Sequence, residues 1–465
     1  MKFGGTSVGT AERIKNVAKI IVDHQKTVDI VVVVSAVSGV TNLLVASVAA
    51  ASNKNKFELT KNMDLIREIH NNIIVGLRLS KTQEASLQLI VDNHLLHLES
   101  LLYSVYELGE VTPRSMDLIS SFGERMTIHF ISSALLLLGA QSQPIESQEL
   151  IVTNDDFGNA QPLLKESIRK MKPQLEKLIK KNVVPVITGF IGATKKGVLT
   201  TLGRGGSDFS ATIVGHCIDA DEVWIWTDVD GAMTADPKVV KNARTIPALA
   251  YDEAIELSYF GAKVLHPLTI VPAELKKIPV WIKNTFNPDF VGTKISEEVY
   301  KNGHPVKAVS TMSSLSLVTL QGKGIIGVPG TVAKVFNAIA KENINVLFIS
   351  QASSEHNISF VVKSIEGDKT ITSLKQAFRT ELLDKRIDSI AREEAVALVA
   401  IVGAGMAGYP GIAGKAFSAL GKEKINLIAI AQGSSELNIS FVVKQSDVHR
   451  AVQRIHDAFS LDTVH

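Results

Sequence analysis

The chain has 465 residues, enough for roughly three domains, and its 49 basic and 47 acidic residues argue against a nucleic-acid-binding surface spread over the molecule. Its one cysteine, Cys217, excludes an internal disulfide, and no Cys/His spacing typical of zinc sites surrounds it. The apolar runs are too short to cross a bilayer and no signal-peptide pattern is present, so we expect a cytoplasmic protein without membrane contact.

A glycine turn lies near the start of the chain, in KFGGTS (2–7), after a very short first strand. The backbone N–H groups of such a turn, together with Lys2, could face an anion. GTSVG (5–9) also matches the Gly-x-Ser-x-Gly elbow of serine hydrolases. That elbow normally follows a central strand of a sheet already under way, whereas three residues precede Gly4, so we disfavour a hydrolase.

Strand and helix patterns alternate up to about residue 296. The β-branched runs at 30–37, 183–192 and 222–231 predict buried strands, and the segment from 43 to 138 predicts helices broken near 109–113. This alternation is typical of a mostly parallel sheet covered by helices on both faces. We therefore expect an α/β domain in this part of the chain.

Two further turns follow predicted strands. TLGRGGSDFSA (201–211) is rich in glycine and precedes a predicted helix, and WTDVDGAMTADP (226–237) is an acidic turn. Each one could be a structural loop. Three such turns at strand ends favour a phosphate-binding crevice, because ligands bind at that edge of open α/β sheets.

The C-terminal part of the chain is a tandem repeat. A Gly-Pro break at 301–309 predicts a linker, and residues 327–363 then align without a gap on 408–444, 81 residues further on. Each copy reads strand, Gly-Pro-Gly turn, helix and two strands, which we expect a further helix and strand to complete as a small α+β module.

Glycine patterns in the repeat resemble nucleotide-binding motifs. GAGMAG (403–408) matches the dinucleotide fingerprint and GKGIIG (322–327) is its counterpart in the first copy. We interpret both as turns of the repeated module, where glycine supplies positive φ and close packing. Too few residues follow for a doubly wound dehydrogenase sheet, and no Walker A pattern occurs.

On these motifs the sequence resembles the aspartokinases, members of the amino-acid-kinase fold family, along essentially its whole length. The segments that carry the resemblance are KFGGTSV (2–8), SAVSGVTNLL (35–44), SFGERMT (121–127), TTLGRGGSDFSA (200–211), WTDVDG (226–231) and ELSYFGAKVLHP (256–267). The repeats resemble the family's ACT pair, most closely in its threonine-sensing branch, which includes the kinase part of bifunctional aspartokinase–homoserine dehydrogenases.

The resemblance implies a division into four parts. These are an αβα-sandwich kinase domain over 1–296, a linker over 297–312 and two ACT modules over 313–394 and 395–465. It also implies transfer of the γ-phosphoryl group of MgATP to the side-chain carboxylate of L-aspartate, the first step towards lysine, threonine and methionine. That carboxylate has a reference pKa of about 3.9, so the reaction needs positioning and cations rather than a general base.

The resemblance also implies roles for individual residues. Lys2 would contact the transferred phosphoryl group beside the amides of Gly4 and Gly5, Asp208 would orient Lys2 or the phosphate, and Arg204 would bind the substrate α-carboxylate. Glu124 would meet the α-ammonium group. Ser35, Thr41 and Ser207 would complete the amino-acid pocket, although Ser35 and Thr41 could instead be caps. The residues that contact the nucleotide would be Thr227, Asp228, Met233, Asp236, Lys238 and Lys263. Many relatives have tyrosine at the position of Met233, and Lys238 could instead be an ordinary surface lysine.

Regulation and self-association are further expectations from the family. An amino-acid effector would bind to corresponding residues of the two modules, Asn345 and Gln351 in the first and Asn426 and Gln432 in the second. We favour threonine over lysine as the effector. Alternatively, these residues could cap strand ends between paired modules. ACT pairing implies a homodimer or larger oligomer. Two alternatives remain: an acyl-phosphate-forming kinase of the same fold that acts on glutamate or N-acetylglutamate, and a non-catalytic amino-acid sensor.

Overall fold

The computed structural model describes residues 1–261, 265–298, 304–352, 354 and 356–463. The chain forms two compact units. The first comprises residues 1–232, 247–251 and 264–298, and the second comprises residues 233–246, 252–263 and 299–465. Among the described residues, no helix combines the length and the apolar character that a membrane crossing requires.

The first unit contains a large sheet and, apart from it, a small one. Its strands are β1 Lys2–Phe3, β2 Val32–Val34, β3 Ser142–Ile145, β4 Val152–Thr153, β5 Val184–Thr188, β6 Ile191–Thr194, β7 Leu199–Thr201, β8 Val223–Thr227, β9 Ala248–Ala250, β10 Val280–Asn284 and β11 Thr293–Ser296. Eight of these strands, among the described residues, pair in the order β3-β5-β2-β1-β8-β10-β11-β9, and every neighbouring pair is parallel except β10 with β11. Strands β4, β6 and β7 form the small sheet. The predicted mostly parallel sheet is confirmed.

The helices of the first unit are α1 Ala11–Gln25, α2 Val40–Ser52, α3 Lys56–Leu77, α4 Lys81–Leu108, α5 Pro113–Ser120, α6 Phe122–Leu137, α7 Leu164–Ile179, α8 Gly206–Ile218 and α10 Pro267–Glu274. Helices α6, α7 and α8 pack on strands of the main sheet. Helix α9 Tyr251–Tyr259 begins at the last residue of segment 247–251 of the first unit and belongs otherwise to the second. The predicted helical segment 43–138 is confirmed. Its break is explained by Gly109, in the left-handed conformation at the end of α4, and by Thr112, which caps α5 ahead of Pro113.

The second unit contains the tandem modules. Its strands are β12 Ala308–Gln321, β13 Phe348–Gln351, β14 Asn357–Lys363, β15 Ser389–Val402, β16 Ala429–Gln432 and β17 Asn438–Lys444. Its helices are α11 Thr331–Lys341, α12 Gly367–Ala377, α13 Arg379–Leu383, α14 Ile412–Lys422 and α15 Val448–Ala458. The strands pair antiparallel in the order β13-β14-β12-β15-β17-β16, so the predicted pair of α+β modules is confirmed.

The second module takes one strand segment from the chain that precedes the first module. The second half of β12, Leu315–Gln321, pairs with β14 of the first repeat, whereas its first half, Ala308–Met312, pairs with Leu398–Val402 of the second repeat. The start of β15, from Ser389, in turn pairs with the end of β12. Residues 308–312 therefore complete the sheet of the second module, although they fall in the range predicted as linker.

The glycine turns of the modules have two different causes. Gly327 and Gly408 have φ of +65° and +67°, the left-handed region that glycine favours. Gly322 and Gly403 are instead extended, and a Cβ on Gly403 would lie 2.2 Å from the Pro305 carbonyl oxygen. Positive φ was therefore the wrong reason for these two positions, and close packing is the right one.

Candidate active site

The KFGG turn lies at the carboxyl end of β1, in the middle of the main sheet. The Gly4 N–H donates to the Trp226 carbonyl oxygen at 3.2 Å, which ties the turn to β8. A Cβ on Gly4 would lie 3.5 Å from Lys2 Nζ, and one on Gly5 would lie 2.9 Å from the Ala36 carbonyl oxygen. Glycine at position 5 therefore lets the backbone pass close to the Ala36 carbonyl oxygen, and Gly4 places no side chain beside the Lys2 ammonium group.

The second glycine turn starts helix α8. Gly203 and Gly205 have φ of +75° and +73°, and a Cβ on Gly205 would lie 2.5 Å from His266 Cβ. These glycines leave Arg204 exposed at the helix N-terminus. His266 Nδ1 accepts the Leu268 N–H at 3.4 Å and so caps α10. Burial, and secondly the charge of Arg204, lower the pKa of His266.

The two turns meet through side chains. Lys2 is almost entirely buried and forms an ion pair with Asp208 in the first turn of α8. Ser35, after β2, and Ser207 form a hydrogen bond of 2.8 Å between their hydroxyl oxygens. Gly189 makes this approach possible, because a Cβ there would lie 2.7 Å from Ser207 Cβ.

A buried carboxyl group belongs to the same cluster. Glu124, in the first turn of α6, is 3% exposed, and its Oε2 has no hydrogen-bond partner among the described residues. Burial raises the pKa of Glu124 to about 8, although the Ala36 N–H and the charge of Lys2 act in the opposite direction. A buried acceptor without a partner suits a ligand that brings a positive charge and hydrogen-bond donors.

Most of the predicted catalytic and substrate residues thus lie together at the carboxyl edge of the sheet: Lys2, Gly4, Gly5, Ser35, Glu124, Ser207 and Asp208. Arg204 lies on the turn that carries Ser207 and Asp208. Thr41 is half-buried in the first turn of α2, and among the described residues it makes no hydrogen bond to this cluster. The arrangement offers cations, amides and hydroxyl groups to an anion on one side and a buried carboxyl group to an amine.

The residues predicted for the nucleotide divide between the two units. Thr227 ends β8 beside β1 and Asp228 follows it, and the Thr227 hydroxyl donates to Asp228 Oδ1 at 3.2 Å. Met233, Asp236 and Lys238 belong to the second unit, where Asp236 Oδ1 accepts the Lys238 N–H at 2.9 Å. Lys263 lies outside the described residues.

Sequence reasoning missed the polar segment that follows β10. Ser7 and Thr285, both fully buried, share a hydrogen bond of 2.7 Å, and the Thr285 N–H donates to the Thr227 carbonyl oxygen at 2.9 Å. Asn284 donates to Asp230 Oδ1 at 2.8 Å. The signal was NTFNP (284–288), which starts at the last residue of the strand VWIKN (280–284), again at the carboxyl end of a parallel strand.

Asp117 is a second position that the motifs did not reveal. Its carboxylate, 1% exposed, accepts the Thr201 N–H at 2.9 Å, the Thr201 hydroxyl at 2.7 Å and the Gly158 N–H at 3.0 Å. Thr201 ends β7, two residues before the turn that carries Arg204. Asp117 thereby fixes the strand that leads into this turn.

The four predicted effector residues lie in corresponding places of the two modules. Gln351 and Gln432 end β13 and β16, and Asn345 and Asn426 precede these strands; all four are exposed. In the first module Gln351 lines a groove together with the Gly-Pro-Gly turn at 327–333.

Comparison with known proteins agrees with this architecture. Residues 1–284 match the amino acid kinase family, and residues 318–378 and 399–459 match the ACT domain. The chain is 36% identical to the chloroplastic bifunctional aspartokinase/homoserine dehydrogenase 1 of Arabidopsis thaliana, over 99% of this chain and 51% of that protein. It is 31% identical to the chloroplastic aspartokinase 1 of the same plant, over 99% of this chain and 79% of that protein.

The solved structures that resemble this chain are also aspartokinases. Aspartokinase III of E. coli in complex with aspartate and ADP has a TM-score of 0.83 and 30% identity, with 98% of each chain covered. The same enzyme in complex with lysine and aspartate has a TM-score of 0.80 and 31% identity, again with 98% of each chain covered. The chain spans about half the length of the bifunctional relatives that it matches.

Proposed function

The chain belongs to the amino acid kinase family and, within it, to the aspartokinases, and from this premise we propose that it phosphorylates the side-chain carboxylate of L-aspartate with ATP. The product would be 4-phospho-L-aspartate, from which the pathways to lysine, threonine and methionine begin. The observation that carries the proposal is the cluster at the carboxyl edge of the sheet, where the Lys2–Asp208 pair adjoins the buried carboxyl group of Glu124, whose Oε2 has no partner among the described residues.

The proposed chemistry requires two anions to approach each other. Because the aspartate carboxylate is ionised at neutral pH, no residue has to remove a proton. Lys2, oriented by Asp208, would neutralise charge on the transferred phosphoryl group, and the Gly5 amide would hold one of its oxygens. The Gly4 amide, expected from the family to share this role, already donates to the Trp226 carbonyl oxygen. The magnesium ion would be held by the nucleotide phosphates and water, and it would neutralise further phosphate charge.

Substrate recognition is proposed for the other members of the cluster. Arg204 would form a two-pronged contact with the α-carboxylate, and Glu124 would accept the α-ammonium group. Ser35, Ser207 and Thr41 would supply the remaining hydroxyl contacts. Thr227, Asp228, Met233, Asp236, Lys238 and Lys263 are proposed to contact the nucleotide.

The test is an assay of ADP release that depends on aspartate. Arg204→Lys should raise KM for aspartate about 10- to 100-fold and leave KM for ATP unchanged, because lysine keeps the charge but cannot form the planar two-pronged contact. Arg169→Lys, an exposed arginine on α7, is the control and should change neither constant. ADP release that ignores aspartate, or that prefers glutamate or N-acetylglutamate, would refute the assignment.

Feedback regulation by an amino acid is also proposed, with threonine favoured over lysine. It is supported by Gln351 in the groove of the Gly-Pro-Gly turn and by its counterpart Gln432. Titration with threonine should lower activity and raise Tm, because a ligand that binds the folded state stabilises it. Lysine is the comparison, and Gln351→Ala should weaken the response. Unchanged activity and Tm with both amino acids would end the proposal.

Two coarser expectations also remain proposals. We propose a homodimer or larger oligomer formed through the ACT modules, which light scattering after size exclusion measures directly. We also propose a cytoplasmic location, and fractionation of the source cells would test it, since several of the plant relatives are chloroplastic by name.

A further inference from the structure

The segment 233–246 lies in the kinase part of the sequence but folds with the second ACT module. Ala235 and Val240, at 4% and 0% exposure, belong to one hydrophobic cluster with Ile455 and Phe459 of the C-terminal region. The same cluster contains Val309 from the first half of β12, which pairs with the second module. The apolar side chains of the segment are therefore part of the core of this module, whereas Asp236–Lys238 between them are exposed.

Hydrogen bonds fix the segment within that core. The Thr234 N–H donates to the Arg244 carbonyl oxygen at 2.8 Å, and the Arg244 N–H donates to Thr234 Oγ1 at 3.0 Å, which closes the segment on itself. The Val309 N–H donates to the Thr234 carbonyl oxygen at 2.8 Å. Thr234 Oγ1 also lies 3.0 Å from Nε2 of His456, a fully buried residue of α15.

The repeat provides a natural comparison. Phe378 is the counterpart of Phe459, 81 residues earlier, and it is equally buried, at 1% against 5% exposure. Phe378 packs in the cluster of the first module, and the described part of that cluster includes no residue of segment 233–246. The two modules thus differ in this respect although their sequences repeat.

We infer that the second ACT module positions the nucleotide-binding segment 233–246, and that His456 and Phe459 are positioning residues for ATP. The inference rests on the proposed function, which gives Met233, Asp236 and Lys238 to the nucleotide. Because Thr234 and Ala235 lie between Met233 and Asp236, any change in the packing of α15 moves the backbone that carries these side chains. In the described part of the first module, the corresponding hydrophobic cluster has no such connection to the segment.

The experiment compares Phe459→Leu with Phe378→Leu in the full chain, using calorimetric titration with MgADP. Both variants lose similar core volume, so their Tm values should fall by similar amounts. Phe459→Leu should raise the Kd for MgADP about tenfold, whereas Phe378→Leu should change it less than twofold. Hydrogen exchange in 233–246 should accelerate in Phe459→Leu alone, because that segment loses its packing.

A second pair of variants, with smaller changes, tests the hydrogen bond between Thr234 and His456. This pair also serves if Phe459→Leu does not fold. Thr234→Val removes the hydroxyl group and should weaken MgADP binding, whereas Thr234→Ser keeps it and should restore the wild-type Kd. Equal effects of the two phenylalanine variants on Kd, or wild-type binding in Thr234→Val, would overturn the inference. Wild-type protein that binds MgADP without aspartate-dependent turnover would refute the proposed function and leave this inference standing.

Discussion

Lys2→Met should lower kcat by roughly a thousandfold, the largest effect that we expect from one substitution. The ammonium group of Lys2 would act on charge that develops during phosphoryl transfer, and removal of one such preorganised contact typically costs about 100- to 1,000-fold or more. Because the interaction strengthens in the transition state, kcat and kcat/KM should fall together. Steady-state kinetics with saturating ATP and aspartate measure the effect.

The control must separate catalysis from folding. Lys2→Met leaves Asp208 without its partner, which by itself destabilises the protein. The double variant Lys2→Met/Asp208→Asn removes both charges and should recover Tm while kcat stays low. Lys26→Met breaks an exposed pair with Asp23 and should leave kcat unchanged. Recovery of kcat in the double variant would contradict a catalytic role for Lys2.

Glu124→Gln should raise KM for aspartate about a hundredfold, because the substrate ammonium group would lose a buried ionic partner. The pH dependence gives a sharper test. Burial raises the pKa of Glu124 to about 8, so at pH 6 to 7 the free site holds a neutral carboxyl group that must ionise when aspartate binds. Aspartate affinity in the wild type should therefore rise with pH up to about 8, and in Glu124→Gln this rise should disappear.

The same shift affects stability, with a defined sign. The folded state holds the Glu124 proton up to a pKa of about 8, whereas the unfolded chain loses it near 4.5. The folded state therefore binds more protons between these values, and its stability falls as pH rises from about 4.5 to 8, by an amount on the order of 5 kcal/mol. Urea midpoints at pH 5, 6.5 and 8 should show a flatter profile in Glu124→Gln. Exposed Glu149→Gln is the control, and an unchanged wild-type slope in Glu124→Gln would contradict this account.

Local sequence patterns predicted the elements well because their causes are local. Runs of β-branched residues such as 30–37 and 222–231 contain β2, which is fully buried, and β8, which is buried at three of its five residues, as is typical of a parallel sheet. The run at 183–192 instead divides into β5 and β6, since Phe190 adopts a positive φ of 68° between them. No periodicity in the sequence reports such a turn at a phenylalanine.

Contacts between residues far apart in the chain could not be predicted from these local patterns. Asp117 contacts Thr201 across 84 residues, and Ser7 contacts Thr285 across 278, so neither pair forms a motif that can be read along the chain. The segment 233–246 follows β8 directly and was grouped with the kinase part, but its apolar side chains pack with α15. The elements of the site were predictable, whereas their partners depend on the tertiary fold.

The path of the chain through the two ACT copies also bears on which parts of this region can be removed. The first copy is continuous, because Leu317–Gln321 pair with Ser389–Glu393 at its other end, whereas the second copy needs residues 308–312, which precede the first copy along the chain. Removal of 313–394 would therefore keep the paired segments Ala308–Met312 and Leu398–Val402 together. Removal of the chain beyond residue 394 would instead strip 308–312 of their partner and leave an open sheet edge that invites aggregation.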